Sequence, residues 1–202
     1  MKKTLILLIG TLCSVMQLPA QKSYREVIDS LRVELVRSKP DTNKAFLLQL
    51  LSYTYYRNRL ITQSYLDSSL IYAWQTMELS TKLSWKYGIA KAHYAVACSY
   101  HGADDKVNAV KHFKQALQLF RELHDNKSIA GTLRSLGITA PDTKTAEQYL
   151  IQAVRIAKEV KDNAIIRQCV GLLNDIYFQA KNYSKALEYN LKVLHYAEEI
   201  DD

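Results

Sequence analysis

Along most of this chain, apolar residues recur with the 3.6-residue period of a helix, and the helical segments themselves repeat. Ser69, Ala109, Ala146 and Ala186 stand 40, 37 and 40 residues apart. The same offsets link Thr76, Ala116, Ala153 and Val193; Ser80, Phe120, Ala157 and Ala197; and Leu83, Leu123, Val160 and Ile200. Within one unit these columns fall at i, i+7, i+11 and i+14, a single stripe of a helix about four turns long. Upstream of each stripe lies another apolar segment, LLQLLSYTYY, AKAHYAVACSY, AGTLRSLGI and IRQCVGLLNDIYF in turn. Each unit therefore reads as a helical hairpin.

Aligning the first helices of the hairpins sets Leu51, Val96, Leu136 and Leu173 in one column and Ser52, Ala97, Gly137 and Asn174 in the next. The second column is small or short, which suits helices in close contact, because a larger side chain would push the pair apart. From it to the small residue of the second helix the distances are 17, 12, 9 and 12 residues, so insertions and deletions fall in the turns, where they are tolerated. This pattern resembles the tetratricopeptide repeat, with Leu-small-x-x-Tyr on the first helix and a small residue twelve positions later. Val96-Ala97…Tyr100…Ala109 and Leu173-Asn174…Tyr177…Ala186 carry the resemblance best. Unit three departs most, with Ala140 in the tyrosine position and Pro141 ending its first helix early. The expected fold is an all-α, right-handed solenoid of four such hairpins, at about 41–84, 85–125, 126–162 and 163–202.

Ahead of the array, Ser23-x-x-Glu26 is a capping-box signature, and Val27, Leu31 and Leu35 form an apolar stripe, so residues 21–40 read as an N-terminal packing helix. Residues 1–20 read as a signal peptide: Lys2 and Lys3, an apolar run from Thr4 to Met16, then Leu18-Pro19-Ala20. That run is shorter than the roughly 20 residues that span a bilayer. Cys13 lacks the small residue that a lipidation signal places before its cysteine. The expectation is an exported, periplasmic or secreted, chain beginning at Gln21, with no transmembrane segment after cleavage. A leader followed by a short helix and such repeats resembles the exported sensor regions of Bacteroidetes-type histidine kinases and related regulators.

Composition narrows the picture further. The 202 residues include only 6 Gly, 3 Pro and 3 Cys, which leaves little material for an all-β fold or a disulfide scaffold. The leader holds two of the 27 basic residues and none of the 20 acids, so removing it leaves 25 against 20, a net charge of +5. The charge is spread along solvated helix faces rather than clustered, which excludes a nucleic-acid partner. Cys98 and Cys169 sit in apolar runs two units apart, too distant for a bridge, and read as small hydrophobes.

No phosphate-binding, zinc-protease or nucleophile-elbow motif occurs. Of the five histidines only His93 and His101 are expected to converge, and eight residues span about 12 Å of helix, too far for one metal. Neither a metal nor a cofactor is expected. What remains is a surface. The resemblance implies that first helices line a concave groove, with Gln49, Tyr53, Tyr56 and Arg57 from unit one and Lys91, Tyr94, Cys98 and His101 from unit two. Arg134 and Ile138 follow from unit three, and Gln168, Asp175, Phe178 and Gln179 from unit four. Tyrosine beside a cation suits recognition of a carboxylate-bearing segment, although Tyr53 and Tyr94 serve equally as fillers of wide inter-helix gaps. The family's chaperone clamp is poorly matched, since Tyr53 stands where that clamp has asparagine.

These readings converge on a non-enzymatic binder of a peptide or protein segment. A structural envelope scaffold is the alternative, and an enzyme built from dispersed groove residues such as His101 and Asp175 is the least supported. The last helix carries Leu187, Leu191 and Leu194 on a second stripe, from which the expectation is either that the polypeptide continues past Asp202 or that this edge docks on a partner or on a second copy.

Overall fold

The computed structural model describes residues 23–60 and 63–191. The leader with Cys13, and the terminal positions Val193, Leu194, Ala197 and Ile200, lie outside the described residues. Helix α1 spans Tyr24–Arg37, α2 Thr42–Arg57, α3 Gln63–Lys82, α4 Lys86–Gly102, α5 Lys106–Glu122, α6 Asn126–Thr139, α7 Thr143–Glu159 and α8 Asn163–Gln179; residues 183–191 are helical as well. There is no strand among the described residues.

Acidic caps start these helices. Asp41, Asp105, Asp125, Asp142 and Asp162 each accept the backbone N–H three residues on, at 2.8–3.1 Å. Each such cap is worth about 1 kcal/mol. At α1 the Ser23 hydroxyl accepts from Glu26 N–H while the Glu26 carboxylate accepts from Ser23 N–H at 2.9 Å, the capping box its sequence predicts. The buried residues of α1 are Ile28 and Leu31, whereas Val27 and Leu35 are only half-buried.

Five of the inter-helix turns share one geometry, which the scarcity of glycine conceals in the sequence. Ser84, Asp104, His124, Lys161 and Lys181 all adopt positive φ, between 50° and 59°. The N–H of the following residue then reaches back five positions, as from Asp105 to the Tyr100 carbonyl and from Asp162 to that of Ala157, both at 2.9 Å. This closes the preceding helix in a Schellman-type cap without the glycine that usually fills the left-handed position.

Packing follows the small-residue columns. Ala97, Ala109, Ala116 and Ala153 are wholly buried, as are Leu51, Val96 and Leu136 of the larger column. Gly137 is equally constrained: a Cβ there meets Leu150 Cγ at 2.7 Å. In the first hairpin the small positions are serines. Ser52 and Ser69 exchange hydroxyl-to-carbonyl bonds of 2.9 Å, and Ser69 Oγ lies 2.8 Å from Ser99 Oγ, so α2, α3 and α4 are tied by buried hydroxyls. One expected column does not hold to the end. Leu83 is exposed and Leu123 and Val160 only half-buried, because all three lie past the last helical turn, where the stripe no longer faces its neighbour.

The tyrosine column does more than fill space. Tyr55 stacks on Tyr72 at 5.7 Å, Tyr100 on His112 at 5.8 Å and Tyr177 on Tyr189 at 5.6 Å, with interplanar angles of 11°, 23° and 6°. Tyr72, His112, Tyr149 and Tyr189 are spaced by the same 40, 37 and 40 residues as the other columns. His112 thus occupies a ring position of the repeat. In unit three, Ala140 leaves Tyr149 without that partner.

Candidate functional site

The first helices α2, α4, α6 and α8 are neighbours on one face of the stack. Backbone contacts join α2 to α4 and α6 to α8, while α4 and α6 stand further apart. Long side chains bridge that gap. Lys91 Nζ donates to Ser128 Oγ at 3.1 Å, Tyr94 Oη lies 3.0 Å from Ser135 Oγ, and His101 Nδ1 lies 3.3 Å from Thr139 Oγ1. The sequence carried a signal for this: Ser128, Ser135 and Thr139 recur at i, i+7 and i+11 on α6, and Lys91, Tyr94 and His101 at i, i+3 and i+10 on α4, so each trio shares one helix face.

Three cavities open along this face. One of about 250 Å³ lies between α2 and α4 over Gln49, Tyr53, Tyr56 and Cys98. A second, of about 200 Å³, is lined by Tyr56, Arg57, His101, Arg134, Ile138 and Thr139. The third, of about 300 Å³, lies over Tyr87, Lys91, Phe120, Ser128, Gly131 and Ile165. Tyr94 borders all three, so it forms the ridge of the groove floor. Burial and its bond to Ser135 make Tyr94 a structural pillar and a groove residue at once; burial also holds its hydroxyl far above the ordinary range. Tyr53, by contrast, is 51% exposed at the rim. The thiol of Cys98 is pushed up to about 12 by burial, which keeps it protonated and unreactive.

Cations dominate this surface and aromatic rings carry them. The Arg57 guanidinium lies 5.8 Å from the Tyr53 ring centre, Arg59 lies 4.4 Å from that of Tyr56, and Lys91 Nζ sits 5.2 Å and 5.3 Å from those of Tyr87 and Phe120. None of these three cations has a carboxylate partner among the described residues. The Arg134 side chain donates from one terminal nitrogen to Gln168 Oε1, while its Nε is buried with no hydrogen-bond partner. The single carboxylate bordering the cavities is Asp125, which is spent on capping α6. Burial, reinforced by Arg59 and Lys106, holds His101 below its ordinary value, so it is neutral at pH 7.

Two expected groove residues do not join the others. Asp175 is exposed on α8, and Phe178, 61% exposed, packs edge-on against Tyr183 instead. No further first helix follows α8 among the described residues, so these positions have no opposing wall. Gln168 meets the groove through Arg134, and Gln179 is exposed. The histidine expectation also needs correction. His93 meets His112 across the α4–α5 hairpin, with the two Nδ1 atoms 3.0 Å apart. No three His, Cys, Asp or Glu side chains converge on a possible metal position among the described residues. Cys98 and Cys169 are free thiols.

No family model matches the chain, and no curated protein does. Solved structures do. A Rap protein complexed with Competence and Sporulation Factor superposes with a TM-score of 0.77 at 24% identity, over 89% of this chain and 50% of that one. Aspartyl phosphate phosphatase F from Bacillus subtilis gives 0.74 at 19%, over 89% and 45%. A signal-transduction ATPase with a tetratricopeptide repeat sensor, from Pyrococcus horikoshii, gives 0.71 at 19%, over 86% and 26%. The chain thus spans half or less of each of these proteins. At such identities the likeness is one of fold: this chain is an all-α solenoid of the tetratricopeptide type. No helix among the described residues is long and apolar enough to cross a membrane.

Proposed function

We propose that this chain is a non-enzymatic, exported binding protein that takes an extended peptide or protein segment into the groove of its first helices and serves as the sensor part of a signalling system. The observation that carries the reading is the groove itself, three adjoining cavities bordered by unpaired cations over aromatic rings. A similar fold complexed with Competence and Sporulation Factor, and another named as a tetratricopeptide repeat sensor, support it. Export rests on the leader-like residues 1–20, and the sensor role on the resemblance of the repeats.

Affinity capture from envelope extracts, run in parallel with the wild-type chain and a Tyr53→Ala/Arg57→Glu variant, tests the binding role. Both residues are exposed at the rim, so the variant keeps the fold. A partner retained by the wild type and lost by the variant supports the groove. Equal retention by both, or by neither, overturns it. Mass spectrometry of the exported chain tests the address, with Gln21 expected as the first residue.

A further inference from the structure

The five described helical or helix-end glycines fall into two groups. A Cβ at Gly88, Gly102 or Gly137 meets a neighbour at 2.2–2.7 Å, so packing excludes a side chain there. A Cβ at Gly131 or Gly171 meets nothing within 4 Å, and neither has positive φ. A glycine inside a helix is unfavourable relative to alanine, and neither fold nor conformation requires one at these two positions. Both lie on the groove face. Gly131 borders the cavity over Lys91, and Gly171 occupies on α8 the register that Arg134 holds on α6 and Tyr94 on α4. They leave the helix backbone bare on either side of Arg134.

Arg134 supplies the second observation. A guanidinium has five N–H donors, and here the Nε donor is buried and unanswered by any protein group. Such a group is costly to leave unpaired. Arg134 also lines the cavity over Tyr56 and His101, and a carboxylate is the natural partner of a guanidinium there. Arg57 borders the same cavity, and no carboxylate lines it among the described residues.

Resting on the groove reading above, we propose that the occupant is an acidic peptide segment: one Asp or Glu side chain enters between Arg57 and Arg134, and the peptide backbone runs over Gly131 and Gly171. Charge complementarity selects the acid, and the bare helix surface makes room for the main chain. Arg57, Arg134 and Lys91 are too few to neutralise a nucleic-acid strand, whose affinity is carried by many phosphate contacts.

A random dodecapeptide display library, selected on the purified chain at low salt, tests this. The expected winners carry Asp or Glu at one fixed position. Replacing that acid by its amide weakens binding at least about tenfold, as removal of a charge-assisted bond does. Arg134→Gln gives the same loss, and the two changes together lose no more than either alone. Gly131→Ala weakens binding while raising thermal stability, an opposition that a merely structural glycine does not produce. Winners without a fixed acid overturn the acidic occupant and leave the groove reading standing. An empty selection overturns both, and tighter binding of a (dT)12 oligonucleotide than of any selected peptide overturns the choice of a peptide.

Discussion

Helix α6 contains two glycines for which the structure predicts opposite responses to the same substitution. At Gly131 a methyl group enters open space, so Gly131→Ala collects the difference in helix propensity and nothing else, about 0.8–1.0 kcal/mol of added stability. At Gly137 the methyl carbon meets Leu150 Cγ at 2.7 Å, Leu150 Cδ2 at 2.8 Å and the Ala146 carbonyl oxygen at 3.4 Å. Leu150 is wholly buried and has no space to retreat into. Overpacking of this kind costs about 1–3 kcal/mol, which exceeds or cancels the propensity gain. The expected result is that Gly131→Ala melts about 2–4 °C higher than wild type, given the usual scaling for a chain of this length. Gly137→Ala is expected to melt at or below wild type. Thermal unfolding followed by far-UV circular dichroism, with helicity compared before heating, reads both. A stabilised Gly137→Ala would show that the α6–α7 contact is looser than described. A destabilised Gly131→Ala would show that a methyl group is not accommodated at that position, and would remove the basis for a ligand passing over it.

Acid should loosen the α4–α5 hairpin. Burial, with His112 as the secondary cause, lowers His93 to about 4, and burial, reinforced by the Lys111 ammonium, also lowers His112. The unfolded chain therefore binds protons first: the contribution is complete above about pH 6.5 and is lost progressively as the pH falls toward 4. Denaturant midpoints should drop between about pH 7.5 and pH 5 and drop less in His93→Asn, whose amide can still bond His112; a midpoint that rises on acidification refutes the assignment. His124→Gly should raise stability by about 1 kcal/mol, since His124 holds a left-handed conformation at φ 54° that glycine adopts without strain; an unchanged urea midpoint would count against that strain. At the C-terminal edge Leu187 and Leu191 are 60% and 59% exposed. If that edge mediates self-association, light scattering should find a concentration-dependent oligomer that Leu187→Glu/Leu191→Glu dissolves, whereas a monomer in both chains removes the edge as an interface.

The helical class and the hairpin repeat were legible in the amino-acid order because both rest on short-range regularities. A 3.6-residue apolar stripe can bury itself only as a helix, and alanine or serine at a fixed place in each stripe permits only a close helix neighbour. The Ser23–Glu26 cap and the break at Pro141 are equally local. The aromatic ladder was also present, since Tyr72, His112, Tyr149 and Tyr189 keep the repeat spacing, but a histidine among tyrosines hides it. Other features depend on how hairpins sit beside one another. The wider gap between α4 and α6, the pairing of Lys91, Tyr94 and His101 with Ser128, Ser135 and Thr139, and the unanswered Arg134 Nε all arise from the lateral offset between units. A register that places Asp175 and Phe178 on the groove face says nothing about whether a wall stands opposite them. Periodicity specifies direction around one helix axis; the distance and stagger between axes come from the summed packing of side chains across several units, and those set where the groove opens and where it ends.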